Sequence, residues 1–309
     1  MKNEEFATAA QPSKKTSHRL TVNKIVYPSK KIVKPSIKNM KKLIIFLLVM
    51  MPFSVKAQSQ CGIENNAFKA GEFLAYDLYF NWKFVWVKVG AASMSTVMST
   101  YNGLPAYRTS LMTKGNDKLD GVFVMRDTLT SYCSISDLTP QYYRKGALEG
   151  KRYYVDELWY SYPNGYTKVK MHRINRHGEH QWQEKEYSEC VYDMMSIFLR
   201  ARNFDDSKLK KGDIIPMPIT DAKHRSDSWL VYRGKENYKV EDTGEKFRCL
   251  VFSFIEREEG KETELIKFFV TDDANHMPVS LDMNLSFGSA KVYLRSYQGV
   301  RNPMKAKLR

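Results

Sequence analysis

Two adjacent carboxylates near the C-terminal end of the sequence have the residue types that acid–base chemistry uses. Asp272 and Asp273 are followed by Asn275 and His276. Carboxylates and an imidazole could transfer protons in a hydrolytic reaction. Adjacent residues at a strand end usually point in opposite directions, and Asp and Asn also stabilise turns by bonding their own backbone. We therefore favour a turn over 272–276, with a hydrolase that uses Asp272 or Asp273 as the less favoured alternative.

Three histidines that could hold a metal ion lie within nine residues of one another: His172, His177 and His180. Imidazole nitrogens are common zinc ligands, and Glu179 adds a carboxylate to the same stretch. The side chains of Arg173 and Arg176 would repel a cation, however, and segment 173–178 is typical of a polar hairpin turn. We therefore favour a solvated loop, and we expect neither a metal nor a cofactor.

The sequence lacks the short motifs that identify common enzymes. It contains no Ser nucleophile elbow, no phosphate-binding Gly-rich loop and no HExxH zinc motif. The carboxylates of glycosidases cannot be recognised without a structure, so an enzyme is not excluded by this absence. On balance the sequence favours a protein that is not an enzyme.

Tyrosines and tryptophans are concentrated at 153–154, at 159–162 and at Trp82 and Trp86. Such side chains can line an apolar cavity or stack on sugar rings, and ordinary pairing across neighbouring strands is the more common arrangement. Exposure of four of them would favour a surface that binds a glycan or a protein partner: Tyr153, Tyr154, Trp159 and Tyr160.

The elements that position these residues are predicted to be mainly β-strands, because the dominant period of the apolar residues is two. Asn102-Gly103 and Pro163-Asn164-Gly165 are turn signals between strand-like stretches, and Gly90 marks a bend or a bulge. Strands at this spacing indicate an antiparallel all-β architecture. The predicted strands include 73–80, 82–89, 91–100, 106–113, 123–135, 142–147, 152–160, 166–174, 229–233, 238–242, 246–257, 264–271, 278–285 and 289–297.

One segment has the period of a helix, over about 191–202. Its apolar residues recur at intervals of three and four: Val191, Met194, Met195, Phe198 and Leu199. We expect its Met and Phe face to pack on the concave side of the sheet. Arg200 and Arg202 near its end could contact an anion or a lipid headgroup, but a helix-end charge with a salt bridge to the sheet is the favoured interpretation.

The net charge of the 309-residue chain is concentrated at its N-terminus. A formal charge of +15 and a pI of about 9.4 would suggest a nucleic acid or an anionic membrane as partner. Residues 1–57 contain twelve Lys and Arg but only two Glu, which gives this segment a net charge of +10. Residues 58–309 therefore carry only +5 of the total of +15. We therefore expect no nucleic-acid partner.

Residues 40–57 have the pattern of a cleavable signal peptide. Met40-Lys41-Lys42 is a positive segment, an apolar run follows over 43–55, and Val55-Lys56-Ala57 fits a cleavage site before Gln58. We interpret residues 1–39 as a disordered basic extension upstream of the true start, with a basic arm that binds nucleic acid as the alternative. Residues 58–309 are predicted to form a single periplasmic domain that does not span the membrane.

Four cysteines allow three complete disulfide pairings: Cys61, Cys133, Cys190 and Cys249. The apolar surroundings of Cys190 and Cys249 weakly favour a bridge between those two, and buried free thiols are the alternative. Cys61 follows the segment 58–60, Gln-Ser-Gln, which lacks the small and aliphatic residues of a lipidation signal. A lipoprotein is therefore not expected.

Short motifs follow one another between Phe68 and Leu294, including Gly71-Glu72-Phe73, Val89-Gly90-Ala91, Tyr192-Asp193-Met194-Met195-Ser196, Asp272-Asp273, Pro278-Val279 and Phe287-Gly288-Ser289. In this order they resemble an uncharacterised family of bacterial envelope proteins, the domain of unknown function 3108 (DUF3108), and the string 271–279 is similar to its Bacteroides-type branch. The family has no established activity. Its pattern is similar to that of periplasmic lipoprotein carriers, which implies an incomplete β-barrel around an apolar cavity lidded by helices.

The leading hypothesis is a mainly β periplasmic protein whose curved antiparallel sheet, or incomplete β-barrel, wraps around the helix at 191–202. It would bind a hydrophobic ligand, such as a lipid or an acyl chain, between the sheet and the helix. The alternatives are an envelope module that binds a glycan or a protein and, less favoured, a hydrolase. The candidate ligand-binding residues are Trp82, Trp86, Met194, Met195, Phe198 and Arg202.

Overall fold

The computed structural model describes residues 61–82, 85–285 and 288–309. The predicted extension at 1–39 and signal peptide at 40–57 lie outside these residues. The described strands are β1 (Glu72–Trp82), β2 (Val85–Tyr101), β3 (Leu104–Gly115), β4 (Met125–Ser134), β5 (Pro140–Glu149), β6 (Arg152–Ser161), β7 (Thr167–Ile174), β8 (His180–Tyr187), β9 (Ile214–Pro216), β10 (Ile219–Thr220), β11 (Arg225–Lys239), β12 (Lys246–Glu258), β13 (Lys261–Thr271), β14 (Pro278–Leu285), β15 (Gly288–Gln298) and β16 (Lys307–Leu308).

These strands form one large antiparallel sheet, as the sequence predicts. The strand order is β10-β11-β12-β13-β14-β15-β1-β2-β3-β4-β5-β6-β7-β8, with β9 paired to β11 and β16 paired to β12. Most neighbours in the row are also neighbours in the chain, because short turns connect them. The exception within the described row is the β1–β15 pair, which joins the two halves of the chain.

The row of strands curves until its two ends approach each other. Among the described residues no ladder pairs β8 with β10, but side chains bridge the gap. The Gln183 amide donates to the Ala222 carbonyl oxygen over 2.5 Å, and Arg225 pairs with Glu189 over 2.7 Å. Side chains from widely separated strands, such as Tyr76, Leu158 and Phe269, therefore belong to one buried core cluster. The sheet is an incomplete barrel.

Local sequence signals account for much of this geometry. Asn102 and Gly103 both have positive φ angles, of 49° and 78°, which a two-residue hairpin turn that follows the twist of the sheet requires. The register between β1 and β2 shifts next to Gly90, which confirms the predicted bulge. A Cβ atom at Gly90 would lie 2.4 Å from the Lys114 carbonyl oxygen, so only glycine fits there.

The helix α1 spans Met194–Ala201, which is shorter at both ends than the predicted 191–202. It starts late because Asp193 forms a capping box with Ser196: the Asp193 carboxylate accepts hydrogen bonds from the backbone N–H groups of Met195 and Ser196. Val191 and Tyr192 are consequently non-helical, and Tyr192 forms a bridge to Ile219. Three short 3-10 helices cover Asp117–Leu119, Pro163–Gly165 and Asp206–Lys208. No helix of the described residues is long and apolar enough to cross a membrane.

One prediction about this architecture is wrong. Cys61 pairs with Cys190, whereas Cys249 is buried as a free thiol in the main core cluster, so the Cys190–Cys249 bridge does not form. The polar turn predicted within 173–178 is present between β7 and β8, but the sequence does not predict strand β8, which follows it. This strand escapes the pattern because it ends the row and is exposed on both faces, so charged residues replace the alternating apolar ones.

Candidate functional site

A cavity of about 170 Å³ lies between helix α1 and one face of strands β11–β13. Its walls are almost entirely apolar. Alternate residues of a strand point to the same face, so β12 and β13 each present a run of side chains to the cavity. The sheet wall consists of Leu230, Leu250, Phe252, Phe254, Ile266, Phe268 and Val270.

Helix α1 supplies the opposite wall. Met194 and Phe198 are four residues apart, as are Ile197 and Ala201, so the two pairs lie side by side on one helical face. The Met194 side chain is more than half exposed, which places it at the mouth of the cavity. The structure thus brings three predicted residues to the cavity, Met194, Phe198 and Arg202. Met195 instead points into the main core cluster and is buried.

The segment between α1 and β11 closes the remaining side of the cavity, with Phe204, Leu209, Met217 and Ile219 adding to the lining. The Cys61–Cys190 disulfide ties the start of the described chain to the residues just before α1. Cys61, Tyr192, Ile197 and Met217 share one buried cluster with the sheet residues of the cavity. The helix and this segment are therefore anchored on the sheet by packing and by a covalent bond.

Three lining residues of the cavity are polar: Arg202, Asp206 and His276. The His276 ring lies 3.4 Å from the Asp206 carboxylate, and Arg202 is part of a buried ion pair. Arg202 follows the last residue of α1, and its guanidinium donates to both carboxylate oxygens of Glu72, over 2.6 Å and 2.9 Å. Two further hydrogen bonds, of 3.0 Å and 3.2 Å, reach the Asn275 carbonyl oxygen. Both charged side chains are almost completely buried. The salt bridge from the helix end to the sheet is therefore present, and it occupies the donors with which Arg202 would hold a headgroup.

The two predicted tryptophans lie elsewhere, at the hairpin between β1 and β2. Trp82 is the last residue of β1, and Trp86 is paired with Asn81 near the start of β2. The ammonium of Lys291 lies 5.0 Å from the centre of the Trp86 ring. Trp86 does not line the cavity described above.

Asp272 and Asp273 bind different partners. Asp272 forms ion pairs of 2.9 Å with Lys235 and 2.7 Å with Arg248. Burial opposes its ionisation, but the hydrogen bonds from both cations outweigh that effect and lower the pKa of the carboxyl. Asp273 accepts hydrogen bonds from Thr271, Asn275 and Ala306, which fixes the turn after β13 and the C-terminal segment. Both carboxylates thus stabilise the turn that the sequence predicts over 272–276.

A row of aromatic rings crosses the face of the sheet that carries the side chains of Tyr142 and Trp159, and we call it the outer aromatic stripe: Tyr101, Tyr132, Tyr142, Trp159 and Trp182. Successive rings are 5.4–6.1 Å apart between their centres, and the Trp159 and Trp182 rings are stacked at 5.8 Å. Of the four residues whose exposure would favour a binding surface, Tyr153 is exposed, whereas Tyr154, Trp159 and Tyr160 are half-buried.

His172 lies beneath the stripe and is buried, which differs from the solvated loop that the sequence suggests. Its ring stacks on that of Trp182 at 4.0 Å. One ring nitrogen is 2.9 Å from the Glu157 carboxylate and the other is 2.9 Å from a ring nitrogen of His180. Within the described ranges, no group of three or more His, Cys, Asp or Glu side chains is arranged to hold a metal ion.

Sequence reasoning missed most of the sheet wall of the cavity. One signal could have indicated it: 249–252 of β12 is an uninterrupted apolar run, Cys-Leu-Val-Phe, in place of an alternating pattern. Such a run is typical of a strand that is buried on both faces. In the structure Val251 belongs to the main core cluster, while Leu250 and Phe252 face the cavity.

Comparisons with known proteins identify a family but no function. The model of a family described as "Protein of unknown function (DUF3108)" matches residues 75–295. No curated protein matches the sequence. A solved β-barrel-like protein of the domain of unknown function DUF1849 from Brucella abortus is 12% identical, with a TM-score of 0.48, over 75% of this chain and 99% of that chain. A putative exported protein with a YmcC-like fold from Bacteroides fragilis is 6% identical, with a TM-score of 0.30, over 77% and 100%.

Proposed function

The chain belongs to the DUF3108 family, and from that premise we propose that it is an exported, non-enzymatic protein that binds an apolar ligand between α1 and strands β11–β13. The apolar cavity on that face carries the proposal. Ligand pockets are typically lined by hydrophobic and aromatic side chains with few polar groups. A cavity that the protein's own side chains do not fill can gain dispersion contacts from a bound apolar group.

The size of the cavity limits what can enter it. About 170 Å³ is close to the roughly 150 Å³ of an engineered apolar cavity that binds benzene, and below the roughly 300–1,000 Å³ of common ligand pockets. We therefore infer that one ring or a short alkyl segment occupies it. A longer acyl chain would leave through the mouth beside Met194, whose flexible thioether side chain can adapt to different shapes.

Arg202 defines which end of the ligand enters. Its guanidinium is neutralised by Glu72 and buried, so an anionic headgroup placed there would have to displace a buried partner. The apolar end of an amphipathic ligand would therefore enter, while its polar head stays at the mouth. The Cys61–Cys190 disulfide and the signal-peptide pattern at 40–57 support export, since disulfides persist in oxidising compartments.

Filling the cavity tests this proposal. Ala201→Phe places a phenyl ring at the cavity wall. The phenyl ring of N-phenyl-1-naphthylamine is small enough to enter the cavity while its naphthyl group stays at the mouth. The variant should therefore abolish the fluorescence enhancement of this probe, and with it the signal that octanoate displaces. Ala274→Phe makes the same change at an exposed position that does not line the cavity, and serves as the control. Thermal unfolding of both variants establishes that they fold. Unchanged probe binding by a folded Ala201→Phe variant would refute the proposal.

A second candidate function, the binding of a glycan, rests on the outer aromatic stripe. The Trp182 side chain is 56% exposed although its ring stacks on His172, so part of an aromatic surface remains open to solvent. The ammonium of Lys170 lies 4.9 Å from the centre of that ring and could donate to a sugar hydroxyl. Titration of soluble envelope glycan fragments against Trp182→Ala and the wild type, monitored by calorimetry, tests this candidate. Equal heats for both proteins would exclude the stripe.

A further inference from the structure

Three chain reversals meet at one end of the sheet, which we call the tip end. They are the hairpin between β1 and β2, the segment 116–124 between β3 and β4, and the turn between β5 and β6. The strand register places them together, since Ala91 pairs with Lys114 and Met125 pairs with Glu149. Backbone hydrogen bonds of 2.7 Å link Asn116 to the Val89 carbonyl and Gly150 to the Val124 carbonyl. The tip end is therefore a connected surface.

Large apolar side chains at the tip end are exposed to solvent. In the segment between β3 and β4, Val122 is 78% exposed and Phe123 is 53% exposed. At the hairpin, Val85, Trp86 and Val87 are consecutive and all exposed, so both faces of β2 are open there. Exposed apolar residues that are clustered, in contrast to isolated ones, mark interaction surfaces.

The charges that flank these side chains are mainly positive. Lys118, Lys151 and Arg152 are exposed, and none of them forms an ion pair with another described residue. The acidic side chains of the same surface are largely neutralised, because Arg126 binds both Asp117 and Asp120, over 2.6 Å and 2.7 Å, and Lys114 binds Asp117 over 2.9 Å. The tip end thus combines exposed Val, Phe and Trp side chains with unpaired cations.

We propose that the tip end docks on an anionic lipid surface, with Val122, Phe123 and residues 85–87 at the start of β2 entering the headgroup region. Binding at a bilayer interface requires apolar and aromatic side chains flanked by Lys and Arg. The apolar side chains bury their area among the lipids, and the basic side chains attract anionic headgroups. Unpaired cations argue for a lipid surface over a purely apolar partner. The inference does not depend on the cavity at α1, which is lined by other residues.

Sedimentation with vesicles tests the inference, using the full protein and two matched double variants. Val122→Asp with Phe123→Asp removes the apolar contact at the tip end. Met98→Asp with Leu104→Asp makes the same change at the opposite end of the same sheet, where the two side chains are 55% and 62% exposed. The wild type and both variants are compared in the same form, either all with the basic residues 1–57 or all without them. Any contribution of that segment to vesicle binding is then common to the three proteins.

The tip-end variant should bind vesicles of three parts anionic phosphatidylglycerol to seven parts phosphatidylcholine at least about tenfold more weakly than the wild type, equivalent to about 1.4 kcal/mol. The control should bind as the wild type does, and pure phosphatidylcholine should bind more weakly than the anionic mixture. Equal binding by both variants, or by both vesicle types, would overturn the inference. The tip-end variant should still bind the naphthylamine probe as the wild type does. A loss of vesicle binding with unchanged probe binding therefore concerns the tip end alone, and not the cavity.

Discussion

The cavity at α1 and the outer aromatic stripe are both built from large side chains, but they differ in what remains unsatisfied. In the stripe, rings contact rings, and polar edges find partners: the Tyr142 hydroxyl donates to Glu157 over 2.6 Å, and the same carboxylate contacts His172. In the cavity, Phe252 and Phe268 face the helix across a volume that no side chain of the cavity wall fills. Aromatic content alone therefore does not mark a ligand site. Unoccupied apolar volume is the stronger indication.

The ion pair at the cavity also differs from ion pairs on the surface of the same sheet. The Glu72–Arg202 pair is buried, whereas the Arg257–Glu262 pair is half exposed to water. A buried pair depends on both partners, because the survivor is left as an unpaired charge in an apolar environment. An exposed partner is simply rehydrated. Mutations should therefore separate the two ion pairs by the size of their effect.

The largest expected effect comes from removing one charge of the buried pair. Glu72→Gln leaves the Arg202 guanidinium buried without a counter-charge, and should lower the free energy of unfolding by about 3–5 kcal/mol. The control Glu262→Gln breaks a pair of the same 2.6 Å length on the surface and should cost less than about 1 kcal/mol. Urea denaturation measures both. Similar losses for the two variants would show that water reaches the Glu72 site.

A second effect depends on pH and concerns the N-cap of α1. Burial raises the pKa of Asp193 from 3.8 to about 6, although hydrogen bonds from Ser196 and Met195 oppose the shift. A raised pKa in the folded state means that Asp193 stabilises the fold fully below about pH 4 and that this contribution is lost as the pH rises through about 6. The wild type should therefore lose on the order of 2 kcal/mol across that window relative to Asp193→Asn.

Asp193→Asn is the appropriate reference because Asn also caps helices well and does not titrate. Thermal denaturation of the two proteins at several pH values between 4 and 7 gives the difference directly, since the other titrating groups are common to both. A constant difference across this range would contradict the raised pKa. Binding of the naphthylamine probe at each pH shows whether ionisation at the helix start also loosens the cavity wall.

How far the sequence predicts this molecule depends on how local each feature is. The Asn102-Gly103 turn, the Gly90 bulge and the apolar stripe of α1 are encoded within a few residues, and all are found in the structure. The Glu72–Arg202 pair joins residues 130 positions apart, and the Cys61–Cys190 bridge joins residues 129 apart. Such pairings depend on the order of the strands, which local periodicity does not determine.

The cavity shows the same limit. The spacing of Met194 and Phe198 identifies the helical residues, but their partners on β12 and β13 follow from the sheet face that the helix covers. The residue type of Trp86 suggests a ligand site, whereas this residue lies at the tip end. Strand β8 gives no sequence signal, because an exposed edge strand has no buried face to produce an alternating pattern.

The smallest expected effect separates the two regions most cleanly. Trp182→Ala removes an exposed ring that stacks on Trp159 and His172 and lies under the Lys170 ammonium, so it should lower the free energy of unfolding by about 1 kcal/mol. Naphthylamine binding should be unchanged, because Trp182 does not line the cavity. Phe252→Ala should show the opposite pattern, with a loss of about 3 kcal/mol and altered probe affinity. If Trp182→Ala weakened probe binding as much as Phe252→Ala does, the ligand site would have to include the outer aromatic stripe, and the distinction between unfilled volume and aromatic content would fail.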